Sequence, residues 1–536
     1  MKSSDFFIRC LENEDVKYIF GLPGEEVEDV LFSIKSSNIE FVLTRHEQGA
    51  AFMADLYGRL TGKAGVCLST LGPGATNLIT GVADANLDHA PLVAITGQGS
   101  VNRLHKESHQ IIDIVEMFKP VTKWNTRITS GQVVGEIVRK AFKIAQMEKP
   151  GATHIEISED IAASQIPDKE PISKTTLRRP YPDHKALSDA VTLINQCSNP
   201  VILAGNGAIR KLASKQLSML VEKTGIPVIS TFMGKGAVSD LSAHSLFAFG
   251  LGTKKYVADI FAQSDLVICV GYDVAELDPS KWNPKKDKKI IHIDFTPSEV
   301  YENYIPNAEI VADISNTLWA LNTQIIRNFE SVVAKKIRAN ILSDQAVSSK
   351  SNLFPISPQK LISDLRSVLK EDDIVISDVG AHKMWIGANY PTYKPNTVIV
   401  SNGFASMGIA LPGAIGAKLA KPDKTVVAVT GDGGFIMNCQ ELETAKRLKI
   451  PFVCVVLNDT KYSLIEAKQV RNKGEGFAID FENVDISLLA KSFGVKSIKI
   501  DKTNELKDAL KQAIDMNTVC LVDVPTDAKE NLKLFE

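Results

Sequence analysis

Short runs of apolar and β-branched residues recur along this chain, spaced so that a helix fits between them, and this pattern limits the possible folds most. In the first stretch such runs occur at 16–20, 39–44, 64–70 and 91–97. The last two, AGVCLST and PLVAITG, are apolar almost throughout, which is typical of strands covered on both faces. Strands that alternate with helical segments, such as 48–60, predict a doubly wound parallel sheet.

The same alternation returns twice more along the chain. Further apolar runs occur at 200–209, 226–232, 264–271, 289–295, 372–378, 397–402, 424–434 and 451–459. Two linkers are predicted. One is the stretch 166–188, which is rich in proline and charge, and the other is the end of a charged helical segment at 330–357. A chain of 536 residues has room for three domains of ordinary size. We therefore predict an α/β protein with three doubly wound parallel-sheet domains.

Composition and charge exclude several classes of protein. Lys and Arg number 61 and Asp and Glu 63, a net charge of -2, so the overall charge does not favour binding to nucleic acid or an anionic membrane. No apolar run approaches the ~20 residues that cross a bilayer. Charged residues interrupt the N-terminus, MKSSDFFIRCLENEDV, so no signal peptide is expected. We expect a cytoplasmic protein with no nucleic-acid or membrane partner.

The run KTVVAVTGDGGF is an apolar strand that ends in Gly431, Asp432, Gly433 and Gly434. Glycines allow a tight turn whose N–H groups face an anion, and the helix that follows favours phosphate at its N-terminus. The next apolar run ends at Asn458. Asp432 and Asn458 would then stand at the ligand-binding edge of the sheet, where their oxygens suit Mg²⁺. Either feature alone would be read as a turn or a helix cap.

The separation of Asp432 and Asn458, 26 positions, resembles the thiamine-diphosphate binding motif. The resemblance implies that Asp432, Asn458 and the backbone carbonyl of Thr460 hold Mg²⁺, which bridges the diphosphate of the cofactor. Many members of this family have Asn-Asn where this chain has Asn458-Asp459. The first Asn is the ligand position, so this departure leaves the predicted metal site intact.

Other motifs resemble the acetolactate synthase group, a branch of the thiamine-diphosphate-dependent decarboxylase family. They are GLPGE (21–25), RHEQGAAFMADLYGRLTG (45–62), STLGPGATN (69–77) and SNGFASMGIALPGAIGA (401–417). The resemblance covers essentially the whole chain. It implies a pyrimidine-binding domain at 1–165, a central α/β domain at 189–330 and a diphosphate-binding domain at 358–536.

The resemblance also assigns roles in the first domain. Glu47 would contact N1′ of the aminopyrimidine and promote the imino tautomer, whose nitrogen then removes the C2 proton of the thiazolium. Gly24 would lie in the loop beside the cofactor. Taken alone, a glutamate in the first turn of a helix would be read as complementing the helix dipole.

In the last domain the resemblance assigns five further residues to the cofactor. Ala405 and Met407 would contact the aminopyrimidine through backbone atoms, and the Met407 side chain would hold the cofactor in its bent shape. Gly380, Ala381 and His382 take the place of the diphosphate loop of the family. Without the resemblance, Met407 would be read as core packing and His382 as a satisfied polar histidine.

The segment KESHQIIDIVEMFKPVTKW (106–124) resembles the pyruvate-condensing, catabolic type of the family, in which Gln110 would contact substrate or intermediate. The implied reaction decarboxylates pyruvate or a related 2-oxo acid and joins the acyl carbanion to a second one, giving 2-acetolactate and CO2. A non-condensing 2-oxo acid decarboxylase and another thiamine-dependent carboligase remain alternatives. Ala467 takes the place of a tryptophan that shapes the acceptor pocket in relatives, so the acceptor stays open.

Two further expectations concern cofactors and assembly. The stretch 271–282 replaces an Arg-Phe-Asp-Asp-Arg motif of FAD-containing relatives, so we expect no FAD. Arg210 occupies the third glycine position of a dinucleotide fingerprint in AGNGAI, which disfavours NAD. In this family the positions of Glu47 and Asp432 come from different subunits, so the resemblance implies a homodimer or homotetramer.

Overall fold

The computed structural model describes residues 1–175, 179–210, 212–482 and 484–535. Part of the predicted linker at 166–188, namely residues 176–178, therefore lies outside the described residues. The described residues form three six-stranded sheets, and all the strand pairs recorded in them are parallel. The predicted α/β class with three doubly wound sheets is confirmed.

The first sheet has the strand order β2-β1-β3-β4-β6-β5. Its strands are β1 (Tyr18–Gly21), β2 (Glu40–Leu43), β3 (Gly65–Ser69), β4 (Leu92–Gln98), β5 (Trp124–Arg127) and β6 (Ala152–Ser158). The accompanying helices are α1 (Ser3–Asn13), α2 (Glu28–Lys35), α3 (Glu47–Thr61), α4 (Pro73–Leu87), α5 (Ile114–Phe118), α6 (Val134–Gln146) and α7 (Glu159–Ala163).

The central sheet has the order β12-β11-β10-β7-β8-β9, which is the strand order of dinucleotide-binding sheets. Its strands are β7 (Pro200–Ala204), β8 (Val228–Ser230), β9 (Ser245–Ala248), β10 (Leu266–Val270), β11 (Lys289–Asp294) and β12 (Ala308–Val311). The helices here are α8 (His184–Gln196), α9 (Asn206–Ile209), α10 (Ala213–Thr224), α11 (Asp259–Gln263) and α12 (Ile314–Gln324), and α13 (Val332–Ser348) leads to the third sheet.

The third sheet, β14-β13-β15-β16-β18-β17, repeats the strand order of the first. Its strands are β13 (Ile374–Ser377), β14 (Val398–Val400), β15 (Val426–Gly431), β16 (Val453–Asn458), β17 (Lys496–Lys499) and β18 (Cys520–Pro525). Its helices are α14 (Pro358–Val368), α15 (Ala381–Asn389), α16 (Ala410–Ala420), α17 (Asp432–Asn438), α18 (Glu441–Arg447), α19 (Ser463–Lys473), α20 (Ile486–Ser492) and α21 (Leu506–Asp515).

The first and third sheets share one hydrophobic core through the helices α3 and α16. Buried side chains from both halves of the chain, among them Phe52, Leu56, Ile415 and Phe435, belong to the same apolar cluster. Burying apolar surface of this kind contributes roughly 1.5–3 kcal/mol for each large side chain. The core therefore fixes the position of α3, which begins at Glu47, relative to the third sheet.

Two features differ from the sequence-based expectations or add to them. The predicted linker 166–188 ends early, because α8 begins at His184 and Asp183 caps it by accepting hydrogen bonds from the N–H groups of Lys185 and Ala186. An aspartate at this position satisfies N–H groups that the helix itself leaves unpaired.

No helix in the described part of the chain combines the length and the apolar character needed to span a bilayer.

Candidate active site

The strand order reverses at one place in the first sheet and at one place in the third. β1 lies between β2 and β3, and β13 lies between β14 and β15, so the connections on either side of β1 and of β13 run in opposite directions. Such a reversal is where parallel α/β sheets bind ligands. The residues predicted from the sequence fall at these two places, which we call the first and second half-sites.

Glu47 occupies the first half-site as the first residue of α3, just after β2. His46 caps the helix by accepting a hydrogen bond from Gln48 N at 3.1 Å. The Glu47 side chain is buried, with 7% of the residue exposed. Its Oε2 accepts a hydrogen bond from Asn77 Nδ2 at 3.0 Å, whereas its Oε1 accepts none from the described residues. One carboxylate oxygen is thus held while the other is available to a ligand.

Gly24, Gln110 and Glu47 all lie against the turn 70–74 that follows β3. Gly24 packs so closely on Thr70 that a Cβ there would lie 2.3 Å from the Thr70 Cβ, which only glycine permits. Gln110 is exposed, with its backbone against Gly72 and a left-handed φ of 60°. The structure therefore brings the three predicted residues of the first domain to one edge of its sheet.

The second half-site is a cavity of about 170 Å³ at the carboxyl ends of β13 and β15. The predicted residues that line it are Gly380, Ala381, His382, Met407, Gly431, Asp432, Gly433 and Gly434. Tyr462 and Ile465 of the segment after β16 form part of its wall. Eight of the residues predicted from separate sequence motifs are thus neighbours in space.

Asp432, Asn458 and Thr460 meet where β15 and β16 end. Asp432 Oδ2 accepts hydrogen bonds from Thr460 N at 2.6 Å and from Asp459 N at 3.1 Å. Asn458 Nδ2 donates to Asp523 Oδ1 at 3.1 Å, which fixes the orientation of the amide. Thr460 has a φ of 59°, a strained conformation for a β-branched residue and one that is common at functional sites.

Asp459, the residue that departs from the Asn-Asn pattern, lines the cavity. Burial, together with the nearby charge of Asp432, raises the pKa of Asp459 to about 7. Burial also raises the pKa of Asp432 itself. Among the described residues no group of three His, Cys, Asp or Glu forms a metal-binding cluster. The predicted ligand set, one carboxylate, one amide and one backbone carbonyl, is of a different kind.

His382 lines the cavity, and Asp378 forms hydrogen bonds to residues next to those that line it. Burial lowers the pKa of His382 to about 3, so its imidazole is neutral at physiological pH. Its buried Nε2 has no hydrogen-bond partner within the described structure. Asp378 accepts hydrogen bonds from the N–H groups of Val379 and Gly408 at 2.6 and 2.8 Å and from Thr430 Oγ1 at 3.2 Å. It ties three loops of the cavity together.

Glu441 links the first half-site to the domain of the third sheet within one chain. Its carboxylate, on α18, accepts hydrogen bonds from Arg45 N and His46 N, both at 3.0 Å, and from Thr444 Oγ1 at 2.6 Å. Burial raises the pKa of Glu441 to about 7. The turn immediately before Glu47 is therefore anchored on the domain of the third sheet.

The structure of a single chain does not merge the two half-sites. None of Gly24, Glu47 and Gln110 lines the cavity of the second half-site. A larger cavity of about 300 Å³, bordered by Arg59, Arg210 and other residues, contains none of the predicted site residues. Its location does not coincide with either half-site.

Sequence reasoning missed three residues that hold the site. Asn77 lies within STLGPGATN, and Asp378 is the first residue of DVGAHKMW. Both motifs were interpreted through their other residues, so neither Asn77 nor Asp378 was assigned a role. Glu441 follows the GDGG turn on the next helix but one, and nothing in the local sequence pairs it with Arg45. Such a contact over 396 positions depends on the packing of two domains.

Comparisons with known proteins define the class of this chain. Residues 1–117 match the model of the N-terminal thiamine pyrophosphate (TPP) binding domain, residues 187–321 that of the central domain, and residues 378–524 that of the C-terminal TPP binding domain of thiamine pyrophosphate enzymes. The three models follow one another in the order of the three sheets. The chain thus belongs to the thiamine pyrophosphate enzymes.

Curated relatives narrow the class. The chain is 32% identical over 538 residues to an acetolactate synthase of Bacillus subtilis, covering 99% of this chain and 94% of that protein. It is 36% identical to a probable acetolactate synthase large subunit of Methanocaldococcus jannaschii, covering 100% and 93%. A catabolic acetolactate synthase of Raoultella terrigena is 32% identical, covering 98% and 95%. The chain belongs to the acetolactate synthase family of thiamine pyrophosphate enzymes.

Proposed function

We propose that this protein decarboxylates pyruvate, or a related 2-oxo acid, and joins the acyl group to a second 2-oxo acid, giving 2-acetolactate and CO2. Thiamine diphosphate and Mg²⁺ are the cofactors. The observation that carries the proposal is the pair of half-sites: a buried glutamate at one sheet edge and a glycine-rich cavity with a carboxylate at the other. Membership of the acetolactate synthase family supports the same reaction.

The second half-site fits a diphosphate. The buried Nε2 of His382 has no partner among the described residues, and a buried polar atom left in this state is destabilised by about 1–3 kcal/mol. In the tautomer that carries its proton on Nε2, the neutral imidazole would donate to a phosphate oxygen. Gly380 and Ala381 begin α15, whose first N–H groups favour an anion. Gly431, Gly433 and Gly434 would surround the same phosphates from β15.

Asp432, Asn458 and the carbonyl of Thr460 are the proposed Mg²⁺ ligands. Magnesium prefers oxygen ligands in octahedral geometry and completes its shell with phosphate and water oxygens. The hydrogen bonds to Asp432 hold its carboxylate against Thr460, and Asp523 orients the amide of Asn458. These contacts prepare the three groups for a single ion, and they leave the departure at Asp459 outside the ligand set.

Glu47 is the proposed proton relay. When bound, thiamine diphosphate supplies the electron sink for the carbanion that decarboxylation leaves. The Glu47 carboxyl group would exchange a proton with N1′ of the pyrimidine through Oε1, since Asn77 holds Oε2. General acid–base catalysis needs the carboxyl group within hydrogen-bond reach of the nitrogen whose proton it exchanges.

Three further residues, Ala405, Met407 and Gly24, are proposed to contact the cofactor or lie beside it. Ala405 has a left-handed φ of 61°, which reverses the direction of its backbone groups relative to an extended residue. Met407 lines the cavity and would fill the inner side of the bent cofactor. Gly24 allows the loop at Thr70 of the same chain to approach closely, because a side chain at this position would collide with Thr70.

Gln110 is proposed to contact the substrate. Its side chain is exposed in the single chain and can both donate and accept hydrogen bonds, which suits a 2-oxo acid with its carboxylate and carbonyl oxygens. Ala467, the residue in the place of the tryptophan of relatives, is buried in α19, whereas Tyr462 and Ile465 line the cavity.

We infer a homodimer, or a homotetramer built from such dimers, in the cytoplasm. Within one chain the two half-sites are separate, so a second copy would bring its Glu47 to the cavity of the first. Large apolar side chains near the cavity support this arrangement: Phe404, Met437 and Ile465 are 42%, 44% and 52% exposed. Exposed apolar side chains that form one contiguous patch are typical of protein–protein interfaces.

The three domains would divide the work as the family does. Residues 1–165 would bind the pyrimidine, residues 358–536 the diphosphate, and residues 189–330 would form the central domain.

We also infer that no FAD binds. In the segment after β10, Tyr272 donates a hydrogen bond to the Leu277 carbonyl, and Asp273 pairs with His89. These polar groups are occupied by contacts within the protein.

A product assay tests the function. The purified protein is incubated with pyruvate, thiamine diphosphate and Mg²⁺, and the products are identified by chromatography and mass spectrometry. We expect acetolactate, or acetoin after acid treatment. Acetaldehyde as the only product would contradict the proposal and favour a non-condensing decarboxylase. A carboligation product formed only when another aldehyde or oxo acid is added would favour a different thiamine-dependent carboligase.

A further inference from the structure

The loop 401–407 leads from β14 to α16 and carries the two proposed pyrimidine contacts of the third domain. Its ends are held by α4 of the first domain. Asp84 Oδ1 accepts hydrogen bonds from Ser401 Oγ at 2.9 Å and from Ser406 N at 3.1 Å. Ser401 Oγ in turn accepts one from Ala405 N at 3.1 Å. A single carboxylate oxygen thus fixes both ends of the loop.

Asp88, directly after the last residue of α4, holds the middle of the same loop. Its Oδ1 accepts hydrogen bonds from Gly403 N at 2.6 Å and from Phe404 N at 3.4 Å. Gly403 lies so close to the helix end that a Cβ would be 2.4 Å from the Leu87 carbonyl oxygen. The backbone of the loop is therefore pressed directly against α4.

Arg59 keeps the two carboxylates in place. Its Nη2 lies 3.4 Å from Asp84 Oδ2 and 2.5 Å from Asp88 Oδ2. Its Nε donates to Asp55 Oδ1 at 2.6 Å, and its Nη1 donates to the Val400 carbonyl at 3.3 Å. The three aspartate side chains are completely buried. Removing one partner of such a buried group is strongly unfavourable, so the network favours a single arrangement of the loop.

We propose that Asp84 and Asp88 are positioning residues for the cofactor: they set the loop 401–407 so that its backbone faces the aminopyrimidine. This inference rests on the proposed function, because only a thiamine-dependent enzyme uses the loop in that way. The same helix carries Asn77 near its other end, where it donates a hydrogen bond to Glu47. One rigid helix therefore fixes a contact in each half-site.

The first test measures the loop without any cofactor. Asp88→Asn keeps the size of the side chain and replaces charge-assisted hydrogen bonds with weaker neutral ones. We expect hydrogen exchange of the amides at 403–406, followed by mass spectrometry in the cofactor-free protein, to quicken by about tenfold to a hundredfold. Exchange at the rate of the unsubstituted protein would overturn the proposal.

The second test measures the effect on the cofactor. Titration with thiamine diphosphate and Mg²⁺, followed by the circular dichroism of the bound pyrimidine, should give affinities about tenfold weaker in Asp84→Asn and Asp88→Asn. The KM for the cofactor should rise by the same factor, and kcat at saturation should change much less. Unchanged affinity beside faster loop exchange would overturn the positioning role.

Asp240→Asn is the matched control. Asp240 is also buried, but it accepts its hydrogen bonds from Thr392 N and Ser245 Oγ, both at 2.7 Å, and not from the loop 401–407, so we expect a lower thermal midpoint with unchanged cofactor affinity. An equal loss of affinity in this variant would mean that general destabilisation, not loop position, is responsible, and would overturn the proposal.

Ser401→Ala keeps the proposal testable if Asp84→Asn does not fold. This small change removes the hydroxyl between Asp84 and Ala405 N, and we expect faster exchange of the loop and weaker cofactor binding in the same direction. Loop exchange and affinity both equal to those of the unsubstituted protein would overturn the role of Asp84. If the unsubstituted protein itself binds no thiamine diphosphate, the proposed function is refuted, and this inference with it.

Discussion

At the scale of single residues, the site is built from side chains that stand where a parallel strand ends and a helix begins. Glu47 and Asp432 both occupy such positions. A glycine-rich turn after an apolar run indicated Asp432 in the sequence, whereas Glu47 was assigned from the resemblance to the acetolactate synthase group. The sequence did not indicate Asn77, Asp378 or Glu441. These residues act by hydrogen-bonding to backbone and side chains that only the folded chain brings near.

Replacing Glu47 with glutamine should stop the proton relay while preserving the fold. Glutamine is nearly isosteric but cannot exchange a proton with N1′, so C2–H exchange of bound thiamine diphosphate should slow by a factor on the order of 10²–10⁴. Exchange is measured by proton NMR after quenching, and cofactor affinity should be largely retained. Glu40→Gln, at the exposed beginning of the preceding strand, is the control. A normal exchange rate in Glu47→Gln would remove this residue from its role.

Replacing Asp432 with alanine should weaken Mg²⁺ and diphosphate binding together. The variant loses the only carboxylate of the proposed ligand set, so activity should fail to saturate with cofactor and Mg²⁺ over ranges that saturate the unsubstituted enzyme. Asp459→Asn restores the Asn-Asn pattern of relatives and should retain metal-dependent saturation. Ordinary saturation curves for Asp432→Ala would place the metal elsewhere.

At the scale of helices and strands, the sequence predicted the inner strands best. In each sheet four strands coincide with predicted apolar runs, because strands buried on both faces are continuous in hydrophobicity. The missed strands include the edge strands β5, β12 and β17, in which exposed or half-buried residues break the pattern. β6 was missed because it buries polar residues, including His154 and Glu156, within an otherwise apolar run.

Glu441 on α18 should make the stability of the α3–α18 contact depend on pH. Its pKa in the folded protein, raised to about 7 from 4.5 by burial, means that the folded state binds the proton more tightly than the unfolded state. The resulting stabilisation is fully present below about pH 4.5 and is lost as the pH rises through 7. The neutral Glu441→Gln variant lacks this dependence.

We therefore expect the thermal midpoint of the unsubstituted protein to fall relative to that of Glu441→Gln between pH 5 and pH 8, by roughly 5 °C. Differential scanning calorimetry at both pH values measures the shift. Glu443→Gln serves as the control, because Glu443 lies on the same helix but makes only a surface pair with Arg447. A midpoint difference that is the same at both pH values would contradict the role assigned to Glu441.

At the scale of the whole molecule, the repeated strand pattern of the sequence predicted three domains. Only the structure shows that the first and third sheets have the same strand order. That equality places two similar switch points of strand order in one chain, one beside the buried Glu47 and the other beside the glycine-lined cavity. Sequence motifs named the residues of both half-sites but gave no distance between them. The structure of one chain keeps them separate, so assembly is the central claim of the proposed site.

Subunit complementation tests this claim most directly. Co-expression of Glu47→Gln and Asp432→Ala chains with different affinity tags, followed by tandem purification, yields mixed dimers. If each site takes its glutamate from one subunit and its aspartate from the other, one site in a mixed dimer is intact, and about half of the unsubstituted activity should return. Each variant alone should be nearly inactive. Mixed dimers as inactive as their parents would show that both residues serve one site from the same chain.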